Sequence, residues 1–134
     1  MPANTPQDVH RLFAELFAAA DLDGLISMYE PDAVLMPEPG KTVSGPVAIR
    51  ESLQHFLGMN GKFEIELKRV IEAGDIALLY STWTLNGKGD DGSDIELSGK
   101  TSDVVRLQPD GTWMFVIDNP YGGDGAIATE SDTV

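Results

Sequence analysis

The fold of this chain is decided by the stretch KFEIELKRVIEAGDIALLYSTWTL, residues 62–85. In its first half, Phe63, Ile65 and Leu67 alternate with charged residues, which is the period of two of a half-exposed strand. The pair Gly74-Asp75 predicts a turn. Residues 76–85 are rich in branched and aromatic side chains, so they predict a long strand with both faces covered.

Two further strands are predicted after this pair. Residues 88–94 form a loop rich in Gly and Asp, and residues 95–107 again have strand composition. Pro109-Asp110-Gly111 is a strong turn signal before a last strand over residues 112–117. We expect this last hairpin to form the centre of an antiparallel sheet.

The N-terminal part of the chain has helical periodicity instead. Thr5 followed by Pro6 predicts the start of a helix that runs to about Ala20. Its apolar positions recur every three or four residues, and they are Val9, Leu12, Phe13, Leu16 and Phe17. His10 lies outside this stripe and is predicted on the surface.

Two shorter helices are predicted next. Asp21 can cap a helix that Pro31 does not allow to continue, and residues 33–36 look extended. Ser44-Gly45-Pro46 predicts the start of a third helix, which ends at Gly58. Helices followed by consecutive strands and tight turns are the order of an α+β domain with the helices on one face of the sheet.

Composition narrows the class of protein. The 134 residues suit one domain, predicted over residues 1–121, and the small, acidic residues 122–134 predict a flexible tail. A net charge of −13 opposes binding to nucleic acid or to an anionic membrane surface. The absence of cysteine, of a signal-peptide pattern and of a membrane-spanning apolar run predicts a cytoplasmic protein.

None of the compact catalytic or metal-binding motifs occurs in the sequence. There is no phosphate-binding glycine loop and no Gly-x-Ser-x-Gly elbow. The two histidines, His10 and His55, fall on different predicted helices and have no metal-ligand spacing. We therefore predict neither a metal nor a cofactor.

Several short segments carry a family resemblance. They are Asp21-Leu22-Asp23-Gly24, the helix start Gly45-Pro46-x-Ala48-Ile49-Arg50-Glu51, the strand Thr101-Ser102-Asp103-Val104-Val105-Arg106, the turn Asp110-Gly111-Thr112-Trp113 and the terminal Asp118-Asn119-Pro120-Tyr121-Gly122. Together they resemble ketosteroid-isomerase-like, or SnoaL-like, proteins of the nuclear-transport-factor-2-like superfamily. The resemblance implies a cystatin-like α+β barrel, in which a cone-shaped, curled antiparallel sheet wraps around the N-terminal helices.

The resemblance also implies site residues, but it does so unevenly. Tyr29 and Asp103 match a network tyrosine and a protonated aspartic acid of the isomerase. Phe13 and Leu53 stand where the isomerase has tyrosines, and Pro37, with Glu38 beside it, stands at its general base. These replacements argue against steroid isomerisation itself.

Strand alternation places a candidate pocket in the same region. If Asp103 and Val105 point inward, Thr101 does so too, and we match them with Leu78, Tyr80, Thr82 and Thr84 on the preceding strand. Asp118 is predicted to share the cavity with Met114 and Val116, and His55 is a candidate for its mouth. The candidate catalytic residues are Asp103, Asp118, Tyr29 and Glu38, and the candidate ligand-binding residues are Tyr80, Thr82, His55, Phe13, Val105 and Val116.

Simpler structural roles stand beside these candidates. Asp103 can accept a backbone N–H, Asp118 can shape the turn before Asn119-Pro120, and a buried tyrosine is often a core residue. Strand faces also exchange with an error of one residue in register. His55 on a helix surface is the corresponding alternative for that histidine.

The aromatic side chains of the last strands raise the question of a partner. If Trp113, Phe115 and Trp83 lie on the outer face of the sheet, they need a cover, and a second subunit provides one. This predicts a homodimer through the sheet face, which the resemblance also implies. The alternative is that these rings pack within one chain beneath a loop.

Two functions follow from the predicted pocket. The first is a cofactor-independent enzyme of isomerase, cyclase or dehydratase type that uses carboxyl groups for acid–base chemistry on a small, apolar carbonyl compound. A buried carboxyl group loses hydration, which disfavours its charged form, so Asp103 is predicted to donate to the substrate oxygen. The second is a non-catalytic ligand-binding or homo-oligomerisation domain.

Overall fold

Most of the helices precede most of the strands in this computed structural model, which describes residues 2–122. A 3₁₀ turn over Pro6–Asp8 leads into α1 (Val9–Ala18), which is followed by α2 (Leu22–Ile26) and, after two strands, by α3 (Pro46–Leu57). The strands are β1 (Tyr29–Glu38), β2 (Lys41–Ser44), β3 (Lys62–Ala73), β4 (Ile76–Lys88), β5 (Asp94–Leu107) and β6 (Trp113–Asp118). The α+β class is confirmed, whereas the tail predicted over residues 122–134 lies, apart from Gly122, outside the described residues.

The six strands form one sheet in the order β2-β1-β6-β5-β4-β3. The β5–β6 hairpin is the central pair, as predicted. All neighbours are antiparallel except β1 and β6, which pair in parallel. The sheet is therefore mixed at this one pair, where the first long strand meets the last.

The hairpin of β1 and β2 was not predicted, because its prolines resemble strand breakers. Pro31 lies where the register of β1 with β6 shifts, between Tyr29 and Val34. Pro37 lies at the second shift, between Leu35 and Glu38. Proline lacks an N–H donor and is tolerated in a sheet at such irregular positions. The extended segment predicted over residues 33–36 is thus the middle of a ten-residue strand.

The helices pack on one face of the sheet, with α1 against β3, α3 against β1, and α2 against both α1 and α3. The α1 side chains Val9, Leu12 and Phe17 are buried as the apolar stripe predicts. His10 is also buried, with 4% of its surface exposed, so its predicted surface position is wrong. No helix within residues 2–122 is both long enough and apolar enough to cross a membrane.

The inner face of β4 is the opposite of the predicted one. Ser81 pairs with Thr101 and Leu79 with Asp103, so the inward residues of β4 are odd-numbered. They are Ala77, Leu79, Ser81, Trp83 and Leu85, all buried. Leu78, Tyr80, Thr82 and Thr84 therefore lie on the outer face. An error of one residue in the relative register of β4 and β5 is enough to exchange the two faces.

A β-bulge in β6 changes the alternation there as well. Val105 pairs with Phe115 but Val104 pairs with Ile117, which leaves Val116 as the extra residue. Because of this insertion, Phe115 and Asp118 both point inward although they are three residues apart. Val116 is excluded from the inner face, and the prediction that Asp118 is in step with Met114 and Val116 is wrong.

The aromatic side chains proposed as a subunit contact belong to the core. Trp83, Trp113 and Phe115 expose only 6%, 7% and 1% of their surfaces. They pack within one chain, so they give no reason for a covering partner. This part of the argument for a dimer is wrong.

Candidate active site

A mostly apolar cavity lies between α1, α3 and the concave face of the sheet. The empty space between its walls, including the open mouth, is about 600 Å³, of which the centre of a water molecule can reach about 70 Å³. Apolar side chains form most of the wall, among them Phe13, Leu53, Phe63, Trp83 and Phe115. The polar groups of the wall include His10, Thr101, Asp103 and Asp118.

Asp103 has two nitrogen partners. It exposes 1% of its surface, its Oδ1 accepts the backbone N–H of Asn119 at 2.6 Å, and its Oδ2 lies 2.6 Å from Nε2 of His10. The other ring nitrogen of His10, Nδ1, lies 2.7 Å from Oγ of Ser81. These contacts fix the orientation of both the Asp103 carboxyl and the His10 ring.

Asp118 has different partners. The hydroxyl of the buried Tyr29 donates a hydrogen bond to its Oδ2. Burial, and then the charge of nearby Asp103, raise the pKa of the Asp118 carboxyl well above its ordinary value, although the Tyr29 bond partly opposes this. Burial and the charge of Asp118 likewise raise the pKa of Tyr29 well above 10.

The ring of Phe115 packs against the rings of Tyr29 and His10. Its ring centroid lies 4.9 Å from that of Tyr29 and 6.1 Å from that of His10. Asp103 and Asp118 thus lie in the same part of the site as the Phe115 ring, and both line the apolar cavity. Neighbouring carboxyl groups in different surroundings can serve as an acid and a base.

The segment after β6 forms another wall of the cavity. Pro120 and Tyr121 line it, and Nε1 of Trp83 donates to the carbonyl oxygen of Pro120 at 2.6 Å. The Tyr121 ring packs edge-on against Trp83 with centroids 5.6 Å apart. Asp118 therefore precedes a turn, at Asn119-Pro120, that also shapes the cavity.

The structure separates the remaining candidates into two groups. Phe13 lines the cavity, whereas Val105 is fully buried on the inner face of the sheet and is not part of the cavity wall. Tyr80, Thr82 and Val116 lie on the outer face, so their predicted pocket positions are wrong.

Two candidates lie outside the cavity wall altogether. His55 is exposed on α3, beside Phe56, rather than in the pocket. Glu38 is exposed at the end of β1 and lies near Tyr121, whose pKa is raised by partial burial and by this carboxylate. Glu38 therefore does not join Asp103 and Asp118 in the cavity wall, and a catalytic role for it stays a prediction.

Sequence reasoning missed His10 and Ser81. His10 precedes Phe13 by three residues and Phe17 by seven, which is the spacing of one helix face. Ser81 is in step with Leu79 and Trp83 on β4. A wider apolar stripe on α1 and the correct register of β4 would have indicated both residues. Within residues 2–122, no group of three or more His, Asp or Glu side chains is arranged to hold a metal ion.

This fold and cavity define a small α+β pocket protein, and comparison with known proteins places it in a family. Residues 9–124 match the SnoaL-like domain family, so the chain belongs to that family. The predicted family and its cystatin-like fold are confirmed. None of the curated proteins compared with the chain matches it.

Solved structures share the fold at low sequence identity. A ketosteroid isomerase-like protein from Erwinia carotovora atroseptica is 18% identical with a TM-score of 0.73, covering 84% of this chain and 88% of that one. A provisionally named dehydratase of the NTF2-like family from Streptomyces avermitilis is 20% identical with a TM-score of 0.67, covering 82% and 88%. A provisionally named calcium/calmodulin-dependent protein kinase II association domain from Xanthomonas campestris is 16% identical with a TM-score of 0.71, covering 87% and 84%.

Proposed function

We propose that this protein is a cofactor-independent enzyme that moves a proton on a small, mostly apolar carbonyl compound. The observation that carries the proposal is the pair of buried acids, Asp103 and Asp118, which line the same apolar cavity and have different hydrogen-bond partners. The names of the isomerase-like and dehydratase neighbours agree with such chemistry. The lack of cysteine leads us to propose a reducing, cytoplasmic location.

In this proposal Asp118 and Asp103 have different roles. Asp118, kept neutral by burial, donates a hydrogen bond to the carbonyl oxygen and stabilises the negative charge that develops there. Asp103, held by His10 and Asn119, uses a remaining lone pair to take the proton from the carbon next to the carbonyl. Tyr29 fixes the orientation of Asp118.

The remaining wall limits the substrate to a small apolar molecule. The reachable volume of about 70 Å³ leaves little room beyond the carbonyl group and a short hydrocarbon portion. Phe13 and Leu53, which stand where the isomerase has tyrosines, add apolar surface rather than hydrogen-bond donors. A steroid-sized substrate does not fit this description.

Deuterium exchange tests the proposal without knowledge of the natural substrate. A panel of small apolar ketones is incubated with the protein in D₂O, and deuterium at the carbon next to the carbonyl is measured by NMR. We expect exchange catalysed by the unaltered protein and a loss of roughly 10²–10⁴-fold in Asp103→Asn. Asp118→Asn keeps a weaker hydrogen-bond donor and loses less.

The matched control is Glu64→Gln, which neutralises an exposed carboxylate on β3. It should leave exchange unchanged. Equal exchange in Asp103→Asn and in the unaltered protein, at equal stability, would show that the acids do not carry the chemistry. Ketone binding that is unaffected by either Asn variant, with no exchange, would support a non-catalytic binding protein instead.

We also propose a homodimer through the outer face of the sheet, on a different ground from the aromatic one. Ile71, Leu78, Val104 and Ile117 are cross-strand neighbours, so they form an aliphatic row across four strands. Ile71 and Ile117 expose 46% and 41% of their surfaces. The named association domain among the structural neighbours agrees with assembly of such a fold.

Sedimentation velocity tests this second proposal. We expect a dimer at micromolar concentration for the unaltered protein and a monomer for Ile71→Asp, because a charge in a desolvated interface is strongly unfavourable. Glu72→Gln, at the next position on β3, is the control. A monomer for all three proteins would refute the dimer.

A further inference from the structure

Aromatic side chains are concentrated at the wall of the cavity. All five phenylalanines of the chain line it, and so do Trp83 and Tyr121. The largest apolar side chains that are fully buried away from the cavity, within residues 2–122, are aliphatic, namely Val9, Leu25, Ile49, Leu79 and Val105. Burial of apolar surface alone does not require this division, because Leu, Ile, Val and Phe are all common in protein cores.

Four of these rings form a connected cluster, which we call the aromatic end of the cavity and which consists of Phe13, Phe17, Phe63 and Trp83. The Phe63 centroid lies 5.6, 5.2 and 6.0 Å from those of Phe13, Phe17 and Trp83. The ring planes meet at 63°, 41° and 36°, so none of these pairs is a parallel stack. At such separations the positive edge of one ring attracts the negative face of another. A flat ring in the cavity can join this cluster by the same contacts.

The aromatic end adjoins the two acids. The Phe115 ring makes an edge contact with that of Phe13, with centroids 6.2 Å apart and planes at 88°. The same Phe115 ring packs against His10 and Tyr29, which are the hydrogen-bond partners of the two acids. A single ring therefore separates these partners from the aromatic end. The group bonded to a carbonyl carbon that lies at the acids reaches the aromatic end without an intervening chain.

We propose that the substrate is an aryl ketone, in which one side of the carbonyl carbon is bonded to a single aromatic ring. The inference rests on the proposed function for the position of the carbonyl group, and it adds the class of the group attached to it. The carbon on the other side of the carbonyl carries the proton that Asp103 takes. The reachable volume of about 70 Å³ favours one ring over fused rings.

Two ketones with the same carbon skeleton test this inference. Acetophenone carries an aromatic ring on its carbonyl carbon, and cyclohexyl methyl ketone carries the saturated ring. Their dissociation constants are measured by NMR titration of the methyl groups of Leu35, Leu53 and Leu85, which line the cavity. Each constant is corrected by the partition of that ketone between water and octane, which removes the difference in hydrophobicity. We expect the corrected affinity for acetophenone to be about 3–10-fold higher.

A pair of variants on β3 tests whether the rings cause the preference. Phe63→Leu removes the central ring of the aromatic end, so the ratio of the two corrected affinities should fall to about one. Ile65→Val is the matched control, because Ile65 lines the same wall and its replacement enlarges the cavity without removing a ring. It should keep the ratio of the unaltered protein.

Equal corrected affinities in the unaltered protein, or no binding of acetophenone, would overturn the inference. This comparison needs no variant, so it decides the question even if Phe63→Leu does not fold. A ratio that is equally high in Phe63→Leu and Ile65→Val would overturn it as well. Deuterium exchange without a preference for the aryl ketone leaves the proposed function intact and refutes only the substrate class. Preferential binding of acetophenone without exchange supports the aromatic end as a ligand site and refutes the enzyme.

Discussion

Replacement of Asp118 by Asn should remove the contribution of this side chain to the pH dependence of stability. The carboxyl of Asp118 is buried next to Asp103, and its pKa is raised well above 3.8. A raised pKa means that the folded state holds this proton more tightly than the unfolded state does. The amide introduced by Asp118→Asn would keep the shape and still accept the Tyr29 hydroxyl, but it has no proton to lose.

The magnitude follows from the position of the titration. Below the ordinary pKa of 3.8 the group is protonated in both states and costs nothing. As the pH rises from there to the folded-state pKa, the native protein loses about 1.4 kcal/mol per pH unit relative to Asp118→Asn.

Urea denaturation of both proteins between pH 3 and pH 8 measures this difference. The free energy of unfolding of Asp118→Asn should gain on that of the unaltered protein as the pH rises, and the gap should then become constant. Asp110→Asn is the control, because hydrogen bonds from Thr112 lower the pKa of that exposed carboxyl and give a small effect of opposite sign. A difference between Asp118→Asn and the unaltered protein that does not depend on pH would refute the reasoning.

Three other predictions concern the same cavity. Tyr29→Phe removes the hydroxyl that lowers the pKa of Asp118, so the carboxyl titration of Asp118 followed by ¹³C NMR should move to higher pH, with a stability loss of roughly 1–3 kcal/mol; an unchanged titration would contradict the assigned bond. Gly99→Ala places a Cβ 2.5 Å from the carbonyl oxygen of Pro120 and 2.8 Å from Nε1 of Trp83. The free energy of unfolding measured by urea denaturation should therefore fall by about 1–3 kcal/mol. An unchanged free energy of unfolding would show that the wall of the cavity moves freely. A ketone that enters the cavity should change the fluorescence of Trp83, which lines it. This change should disappear in Trp83→Phe, because the remaining Trp113 does not line the cavity. A fluorescence change that persists in Trp83→Phe would place the ligand elsewhere.

Local sequence patterns were sufficient for the fold class and for most of the elements. Alternation over residues 62–67, the turn at Gly74-Asp75 and the helical spacing of Val9, Leu12 and Phe17 all depend on neighbours a few residues apart. Such signals depend only on residues that are close together in the sequence. They can therefore be recognised without knowing what packs against them. The strand β1 was underestimated because its prolines are tolerated only in a register that the sequence does not show.

The grouping of Tyr29, Asp103 and Asp118 had partial support in the sequence, through the family resemblance and the alternation of β5. The place of His10 in the site could not be predicted from the sequence. Its place on the face of Phe13 and Phe17 was present in the spacing, yet a polar residue on an apolar stripe has no meaning until its partners are known. Its partners, Asp103 and Ser81, are 93 and 71 residues away.

Periodicity and turn residues were enough to predict that helices precede a hairpin sheet and that acids and apolar residues share the last strands. The tertiary structure alone decided which face of β4 is inside, because a strand has two faces and only its register with β5 selects one. It alone decided that Val116 bulges outward and turns Asp118 inward, since one unpaired residue reverses the alternation. The candidate site depends on these pairings between distant segments, whereas the fold class depends on periods within them.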